Sequence, residues 1–368
     1  MTDSTPSPLA DFRAVVPAGG AGTRLWPLSR AGSPKFLRDL AGTGRSLLQA
    51  TVDRLTPLTG PDGVLVVTGA AHEPAVRAQL PELGPGAVLA EPSPRDSMAA
   101  IGLAAAVLAE REGDVVLGSF AADHVIGGDG FARAVRLGVD AARAGFVTTV
   151  GIAATGPSTA FGYIESGRPL EAVPGAFHVA GFTEKPDAAT AAAWLATGRY
   201  RWNAGMFLVR VEVLLGHLAR LLPVLHDGLR EIAAAWDTPA RDEVVARVWP
   251  GLQRIAIDHA IAEPVAAAGG VAVVPGDFDW DDVGDVAALR DLLPGDPHVL
   301  GDAGQVIVLD APGSLVVPGS GRMVAVLGVP DAVVLDTVDA LLVTTRDQAQ
   351  RVKSVVDAVR ERGRTDLL

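Results

Sequence analysis

Short β-branched runs alternate with longer Ala- and Leu-rich stretches through the first 150 residues of the chain. RAVVPA (13–18), GVLVVTG (63–69), GAVLAE (86–91), DVVLGSF (114–120) and FVTTVGI (146–152) are nearly continuous apolar runs, too short for helices. They read as buried strands. SLLQATVDRL (46–55), HEPAVRAQL (72–80), DSMAAIGLAAAVLAER (96–111) and a stretch near 129–144 read as helices. Strands that alternate with helices build βαβ units. The pattern therefore predicts an α/β fold, a Rossmann-like, mixed but mostly parallel sheet flanked by helices on both faces. In such sheets ligands gather at the carboxyl ends of the strands.

From about 155 to 290 the alternation is less regular. FGYIES (161–166), FHVAGFTEKP (177–186), WNAGMFLVR (202–210), GGVAVVPG and FDWDDV read as strands, while AATAAAWLATG (188–198) and most of 211–249 read as helices. After the Pro/Gly-rich LLPGDPH (292–298) the valine-rich runs QVIVLD, SLVVPG, MVAVLG and AVVLD predict a small β-rich layer or short β-solenoid. RDQAQRVKSVVDAVRERG (346–363) closes the chain with the pattern of an amphipathic helix. The expected division is a disordered tail over 1–10, a large α/β domain over 11–292, and a small β-rich domain over 300–368 ending in that helix.

Composition narrows the function. With 49% hydrophobic residues over 368 positions, the chain is not of a disordered class. It contains no uncharged apolar run of about 18 residues, so no membrane span is expected. Its first residues, MTDSTPSPLAD, lack the basic and apolar segments of a secretory signal, which predicts a cytoplasmic protein. The absence of cysteine removes disulfides, thiolate metal sites and thiol nucleophiles. A net charge of -12 argues against nucleic acid as a partner. An anionic small substrate would need a local cationic pocket.

One loop offers it. PAGGAGTRLWPLSRAGSPKFL (17–37) follows the first predicted strand and holds four glycines, Arg24, Arg30 and Lys35, with no acid. Glycine permits positive φ and close backbone approach. Successive backbone N–H groups in such a turn make a concavity for anionic oxygens. Arg24 adds a forked donor for phosphate and Lys35 a compact charge. The loop is neither a P-loop, which needs GxxxxGK followed by Ser or Thr, nor a GxGxxG dinucleotide fingerprint.

AGGAGTRLWPLSR followed by PKFL resembles the nucleotide loop of sugar-nucleotide pyrophosphorylases, and RLWPLSR looks most like the mannose-1-phosphate guanylyltransferases. Further segments resemble that family in order: EPSPRDSMAAIGLAA, AADHVI, FGYIE, FTEKP, WNAGMF, WDDVGD, and VVLDTVDALLVTTRDQAQRVKSVV at the tail. Two departures stand out, PKFL where PKQF is usual and RDS where RNT is common. The resemblance implies a nucleotide-diphospho-sugar transferase fold and transfer of GMP from GTP to α-D-mannose 1-phosphate, giving GDP-mannose and pyrophosphate with Mg2+. Only the transferase activity is implied, since nothing here resembles the isomerase domain of bifunctional relatives.

The same resemblance implies residue roles. Gly19, Gly20, Gly22 and Thr23 would meet the triphosphate, Arg24 the leaving pyrophosphate and Lys35 the α-phosphate. Asp123 and Asp282 would hold the metal, Asp123 beside the nucleotide and Asp281 competing with Asp282. Lys185 would bind the sugar phosphate and Glu184 sugar hydroxyls. Gly162 would admit the sugar to the backbone, and Asn203 would offer a two-way amide. Trp202 and Phe207 read as core packing. Guanine presents adjacent N1–H and N2–H₂ donors, so a carboxylate suits it, and Glu91 at the end of its predicted strand is a candidate. Asp123 also reads as a simple turn cap, and Lys185 with Glu184 as a surface ion pair. The rivals are a nucleotidyltransferase for another base or sugar 1-phosphate, such as glucose 1-phosphate, a silent sugar-nucleotide-binding regulatory subunit, and a glycosyltransferase. The valine-rich tail could cover the large domain or form a homodimer surface.

Overall fold

The computed structural model describes residues 7–20 and 22–368. The strands are β1 (Phe12–Ala18), β2 (Val64–Gly69), β3 (Val88–Glu91), β4 (Val116–Ser119), β5 (Val125–Gly127), β6 (Val147–Ala153), β7 (Tyr163–Pro169), β8 (Phe177–Thr183), β9 (Tyr200–Arg210), β10 (Val271–Gly276) and β11 (Asp279–Asp281). They continue with β12 (His298–Val299), β13 (Val306–Leu309), β14 (Leu315–Pro318), β15 (Val324–Leu327), β16 (Ala332–Asp336) and β17 (Leu341–Thr345). The helices are α1 (Leu47–Thr59), α2 (Glu73–Gln79), α3 (Asp96–Glu112), α4 (Gly130–Arg143), α5 (Ala188–Thr197), α6 (Val211–Leu221), α7 (Pro223–Trp236), α8 (Arg241–Val248), α9 (Glu263–Ala267), α10 (Val286–Leu292) and α11 (Val352–Glu361).

The chain forms two compact units. Among the described residues, one comprises 7–18, 52–121 and 126–280, and the other 19–20, 22–51, 122–125 and 281–368. The first holds a nine-stranded sheet in the order β3-β2-β1-β4-β9-β6-β10-β8-β7. Through β3-β2-β1-β4 it is parallel, as the alternating pattern predicts. The long strand β9 then runs antiparallel to β4, β6 and β7, and the β7–β8 hairpin is antiparallel as well. The mostly parallel expectation thus holds through β3-β2-β1-β4 and again where β10 runs parallel to β6, and gives way at β9 and at the β7–β8 hairpin.

Alanine and glycine on α3 explain its packing. Met98 through Leu108 are all buried, so the helix is apolar on every side and lies within the core. A Cβ at Gly102 would stand 2.7 Å from Leu229 Cδ1 on α7, so only glycine lets the two helices approach that closely. Helix α4 instead shows one apolar face, with Phe131, Ala134, Val135 and Val139 buried and Arg143 outward in an ion pair with Asp11. Of the expected tail, residues 1–6 lie outside the described residues. Beyond them, the Ser7 carbonyl accepts a bond from Arg136 at 2.8 Å, and Leu9 N donates to Leu58 O at 2.9 Å.

In the second unit, β12, β14 and β16 pair in parallel, as do β13 and β15. Leu315 pairs with Val333 and Val306 with Val324, an advance of 18 residues, while His298 pairs with Leu315, an advance of 17. This is the short β-solenoid expected from the valine-rich runs. Val316, Val326, Ala332 and Val334 fill its interior. Leu25, Trp26, Leu28 and Leu40 share a second core with Val283, Leu289, Leu335 and Val352. The closing helix is shorter than 346–363. Arg346–Arg351 form a tighter 3-10 turn, and α11 starts at Val352. The polar run RDQAQ buries only Ala349, and the apolar stripe that anchors a helix begins with Val352 and Val356.

Candidate functional site

Within the second unit, the loop after β1 turns on two glycines with positive φ, Gly20 at 88° and Gly22 at 55°. A Cβ at Gly19 or Gly20 would meet no atom within 4 Å, so this stretch of backbone faces open space. At Gly22 the demand is opposite. A Cβ there would stand 2.9 Å from Ser29 Oγ and 3.2 Å from Lys35 Cβ and Cγ. Gly22 therefore lets the loop lie directly against the Lys35 side chain. It also starts the 3-10 turn Thr23–Leu25, which carries Arg24.

Lys35 opens a second 3-10 turn, Lys35–Leu37, which is anchored by the buried Phe36. Its ammonium is mostly buried, with 13% side-chain exposure. It lies 2.9 Å from Asp123 Oδ2 and donates to the carbonyl oxygen of Asp282 at 2.6 Å. One cation thus joins three segments that are far apart in sequence. Asp281 and Asp282, equivalent by sequence, differ here. Asp281 Oδ1 accepts the Val283 N–H at 2.6 Å, which closes a local turn. Burial raises the Asp281 carboxyl above the usual range, and the neighbouring Asp282 charge adds to this. Both Asp282 carboxylate oxygens lie 3.2 Å from where a Cβ on Gly284 would sit. The turn is strained, because the buried, β-branched Val283 has φ 45°. Arg24 Nη1 donates to Gln350 Oε1 at 3.3 Å.

The first unit gathers a different set. Asn203 N donates to Gly162 O at 2.8 Å. A Cβ on Gly162 would stand 2.4 Å from Glu184 Oε2, so the glycine is required for that carboxylate to sit where it does. Lys185, at φ 47°, turns back to place its ammonium 2.6 Å from Glu184 Oε1 while staying 60% exposed. The Asn203 amide bonds in both senses, within the protein. It is buried, Oδ1 accepts from Thr149 Oγ1 at 3.0 Å and Gly205 N at 3.1 Å, and Nδ2 donates to Asp258 Oδ1 at 2.8 Å. Three of its four bonding positions are thus used inside the protein. Phe207 is core, as expected, whereas Trp202 is half-buried against Phe161 with a ring separation of 5.0 Å, and its indole N–H is buried without a partner.

Sequence reading does not single out Asp258, His259 or Glu263. Asp258 lies on a single π-helical turn, Asp258–Ala262, a feature frequent at functional sites. Burial, and next the Glu184 charge, push its carboxyl up to about 6. Glu263 Oε1 accepts the Glu184 N–H at 3.2 Å, and Oε2 lies 2.9 Å from His259 Nδ1, a bond that raises the imidazole pKa. The only signal in the sequence is the pair of acids flanking a histidine in IAIDHAIAEP.

Glu91 ends β3, opposite Gly69. Its Oε1 is buried with no partner, and burial pushes the carboxyl up to about 7. Among the described residues, no group of three or more His, Asp or Glu side chains is arranged to hold a metal. Asp123 and Asp282 supply two carboxylates, the hard oxygen donors that suit a divalent ion completed by phosphate oxygens and water. No helix among the described residues is long and apolar enough to cross a membrane.

Residues 13–297 match the nucleotidyl transferase family model, and 304–359 match the model described as MannoseP isomerase/GMP-like beta-helix domain. Xanthan biosynthesis protein XanB of Xanthomonas campestris pv. campestris (strain B100) is 37% identical over 365 residues, covering 97% of this chain and 75% of its own. A mannose-1-phosphate guanylyltransferase of Escherichia coli is 33% identical, covering 96% and 74%. The crystal structure described as mannose-1-phosphate geranyltransferase from Thermus thermophilus superposes with a TM-score of 0.83 at 35% identity, over 95% of this chain and 99% of that one.

Proposed function

The chain belongs to the nucleotidyl transferase family, and from that premise we propose that it transfers GMP from GTP to α-D-mannose 1-phosphate, giving GDP-mannose and pyrophosphate. The observation that carries this reading is the Lys35 ammonium, bonded at once to the Asp123 carboxylate and the Asp282 carbonyl beside a glycine-rich turn.

The sugar phosphate oxygen attacks the α-phosphorus of GTP, and pyrophosphate leaves in line. The protein's work is to position two polyanions and offset their repulsion. Gly19, Gly20, Gly22 and Thr23 present backbone N–H groups to the triphosphate, supported by the open backbone at Gly19 and Gly20. Arg24 grips the departing pyrophosphate and Lys35 the α-phosphate. Lys185 takes the sugar phosphate and Glu184 the sugar hydroxyls, with Gly162 admitting the ring. Asn203 supports this set by holding Asp258. Glu91 accepts the guanine N1–H and N2–H₂ groups, a role supported by its buried, unpartnered oxygen.

Nucleotidyl transferases of this family generally use a divalent metal. We assign Mg2+, held by Asp123 and Asp282, where it would offset phosphate charge during transfer. Asp282 is preferred because the Asp281 carboxylate is committed to the Val283 N–H. Cytoplasmic residence follows from soluble nucleotide substrates. The test is pyrophosphate release from GTP and mannose 1-phosphate by the purified chain with Mg2+. Turnover abolished by a chelator and lowered about 10²–10³-fold by Lys35→Ala is expected, and no release in the presence of Mg2+ would overturn the reading.

A further inference from the structure

The loop that carries Arg24 and Arg30 is tied to the C-terminal β-rich segment at three points in the second unit. Trp26 Nε1 donates to Leu367 O at 2.7 Å. Arg30 pairs with Asp339, Nη1 lying 2.7 Å from Oδ2. Arg24 Nη1 meets Gln350 Oε1 at 3.3 Å. The first two contacts fix where the loop runs. The third touches a side chain that the proposed reaction uses, and Gln350 lies within the stretch matching the beta-helix domain model.

Gln350 is exposed, but both ends of its side-chain amide are bonded. Its Nε2 donates to Asp285 Oδ2. Asp285 is buried, and its Oδ1 accepts the N–H groups of Ala287 at 2.8 Å and Ala288 at 3.0 Å, capping α10. The carboxylate is therefore fixed by the helix start, and it can only accept. This fixes the direction of the amide. Nε2 must face Asp285, so Oε1 must face the guanidinium. A guanidinium has five N–H donors, and a single bond from Nη1 orients its plane without consuming its forked edge.

We infer that Gln350 is a positioning residue for Arg24: the C-terminal segment supplies an amide that relays the fixed carboxylate of Asp285 to the guanidinium gripping pyrophosphate. Only an amide serves. A carboxylate at this position would repel Asp285 and neutralise Arg24, and an apolar side chain would leave the guanidinium to wander. The second domain then completes the phosphate-binding loop rather than merely covering it. This inference rests on the pyrophosphate role proposed for Arg24.

The test runs the reaction in reverse on the full chain, from GDP-mannose and pyrophosphate, with Gln350→Ala, Gln350→Glu, Arg24→Ala and the Arg24→Ala/Gln350→Ala double variant. Loss of a hydrogen bond to a charged group predicts about a tenfold rise in KM for pyrophosphate in Gln350→Ala, with KM for GDP-mannose within about twofold. Gln350→Glu should raise the pyrophosphate KM more than Gln350→Ala does. The double variant should be no worse than Arg24→Ala alone, because both act through one group. A general packing defect would instead raise both KM values together and lower Tm, which would overturn the inference. So would an unchanged pyrophosphate KM in Gln350→Glu while Arg24→Ala raises it. An unchanged value in Arg24→Ala would remove the pyrophosphate role of Arg24 itself, and the inference with it.

Discussion

Lys35 and Asp123 form an ion pair, Nζ to Oδ2 at 2.9 Å, between a cation proposed for phosphate and a carboxylate proposed for metal. Each therefore holds the other in place before either meets a ligand. In the proposed reaction Asp123 would help hold a divalent ion, which would leave the Lys35 ammonium to the α-phosphate. Lys35→Ala should lower kcat by about 10²–10³, the cost of removing one preorganised charge of about 2–4 kcal/mol. Lys35→Arg should not restore it, since a planar fork cannot replace the compact ammonium set between the Asp123 carboxylate and the Asp282 carbonyl. Steady-state rates, with circular dichroism to confirm folding, check both outcomes.

Gly22→Ala probes the same geometry from the backbone side. The new Cβ would press on Ser29 Oγ and on the Lys35 stem, and φ of 55° disfavours any side chain. A cost of about 1–2 kcal/mol in stability is expected, together with a fall in kcat of about tenfold or more. Gly20→Ala, at φ 88° but with open space around the site, should cost stability without displacing Lys35. Thermal unfolding and kcat measured on both variants separate strain from displacement.

Glu91 predicts a pH dependence with a defined sign. Burial raises its carboxyl from the ordinary 4.5 to about 7, so the folded state binds more protons than the unfolded one between those values. Its contribution to stability is therefore present below pH 4.5 and is lost as pH rises through about 7. Glu91→Gln should raise Tm at pH 8, by about 1–3 kcal/mol of stability, and change it little at pH 4.5. The same substitution should weaken use of GTP more than of UTP or dTTP. Unchanged base preference removes Glu91 from guanine recognition.

Asp258 has the same sign, raised to about 6 by burial and by Glu184. Asp258→Ala removes the acceptor to which Asn203 Nδ2 donates, so the Asn203 amide loses its partner. The expected result is a KM for mannose 1-phosphate raised about tenfold, with the KM for GTP unchanged. A uniform loss of stability with both KM values preserved would make the Asn203–Asp258 pair a packing feature only.

Much of the fold is legible in the sequence because β-branched runs and Ala-rich stretches carry their period locally. β1, β2, α3 and α4 fall close to where hydrophobicity puts them. The antiparallel course of β9 is not legible, since strand direction depends on which neighbour buries it. The coil of the C-terminal layer is legible only afterwards: QVIVLD and MVAVLG stand 18 residues apart, but their similarity is too generic to mark a repeat. At the site, glycines and cations that follow a strand can be read directly. The difference between Asp281 and Asp282 cannot, because the hydrogen bond from Val283 N to Asp281 appears only in the folded turn. Gln350 is silent, and Asp258 nearly so, for the same reason. Their partners Asn203 and Asp285 are distant in sequence and are brought near only by folding.

The most direct measurement is a panel of GTP, ATP, UTP and dTTP against mannose 1-phosphate and glucose 1-phosphate, read as pyrophosphate release by the native chain and by Lys35→Ala. GTP with mannose 1-phosphate should give the highest kcat/KM, and that activity should collapse in Lys35→Ala. Equal or better turnover with another base or sugar would contradict the substrate assignment. Full activity in Lys35→Ala would contradict the phosphate chemistry on which it is built.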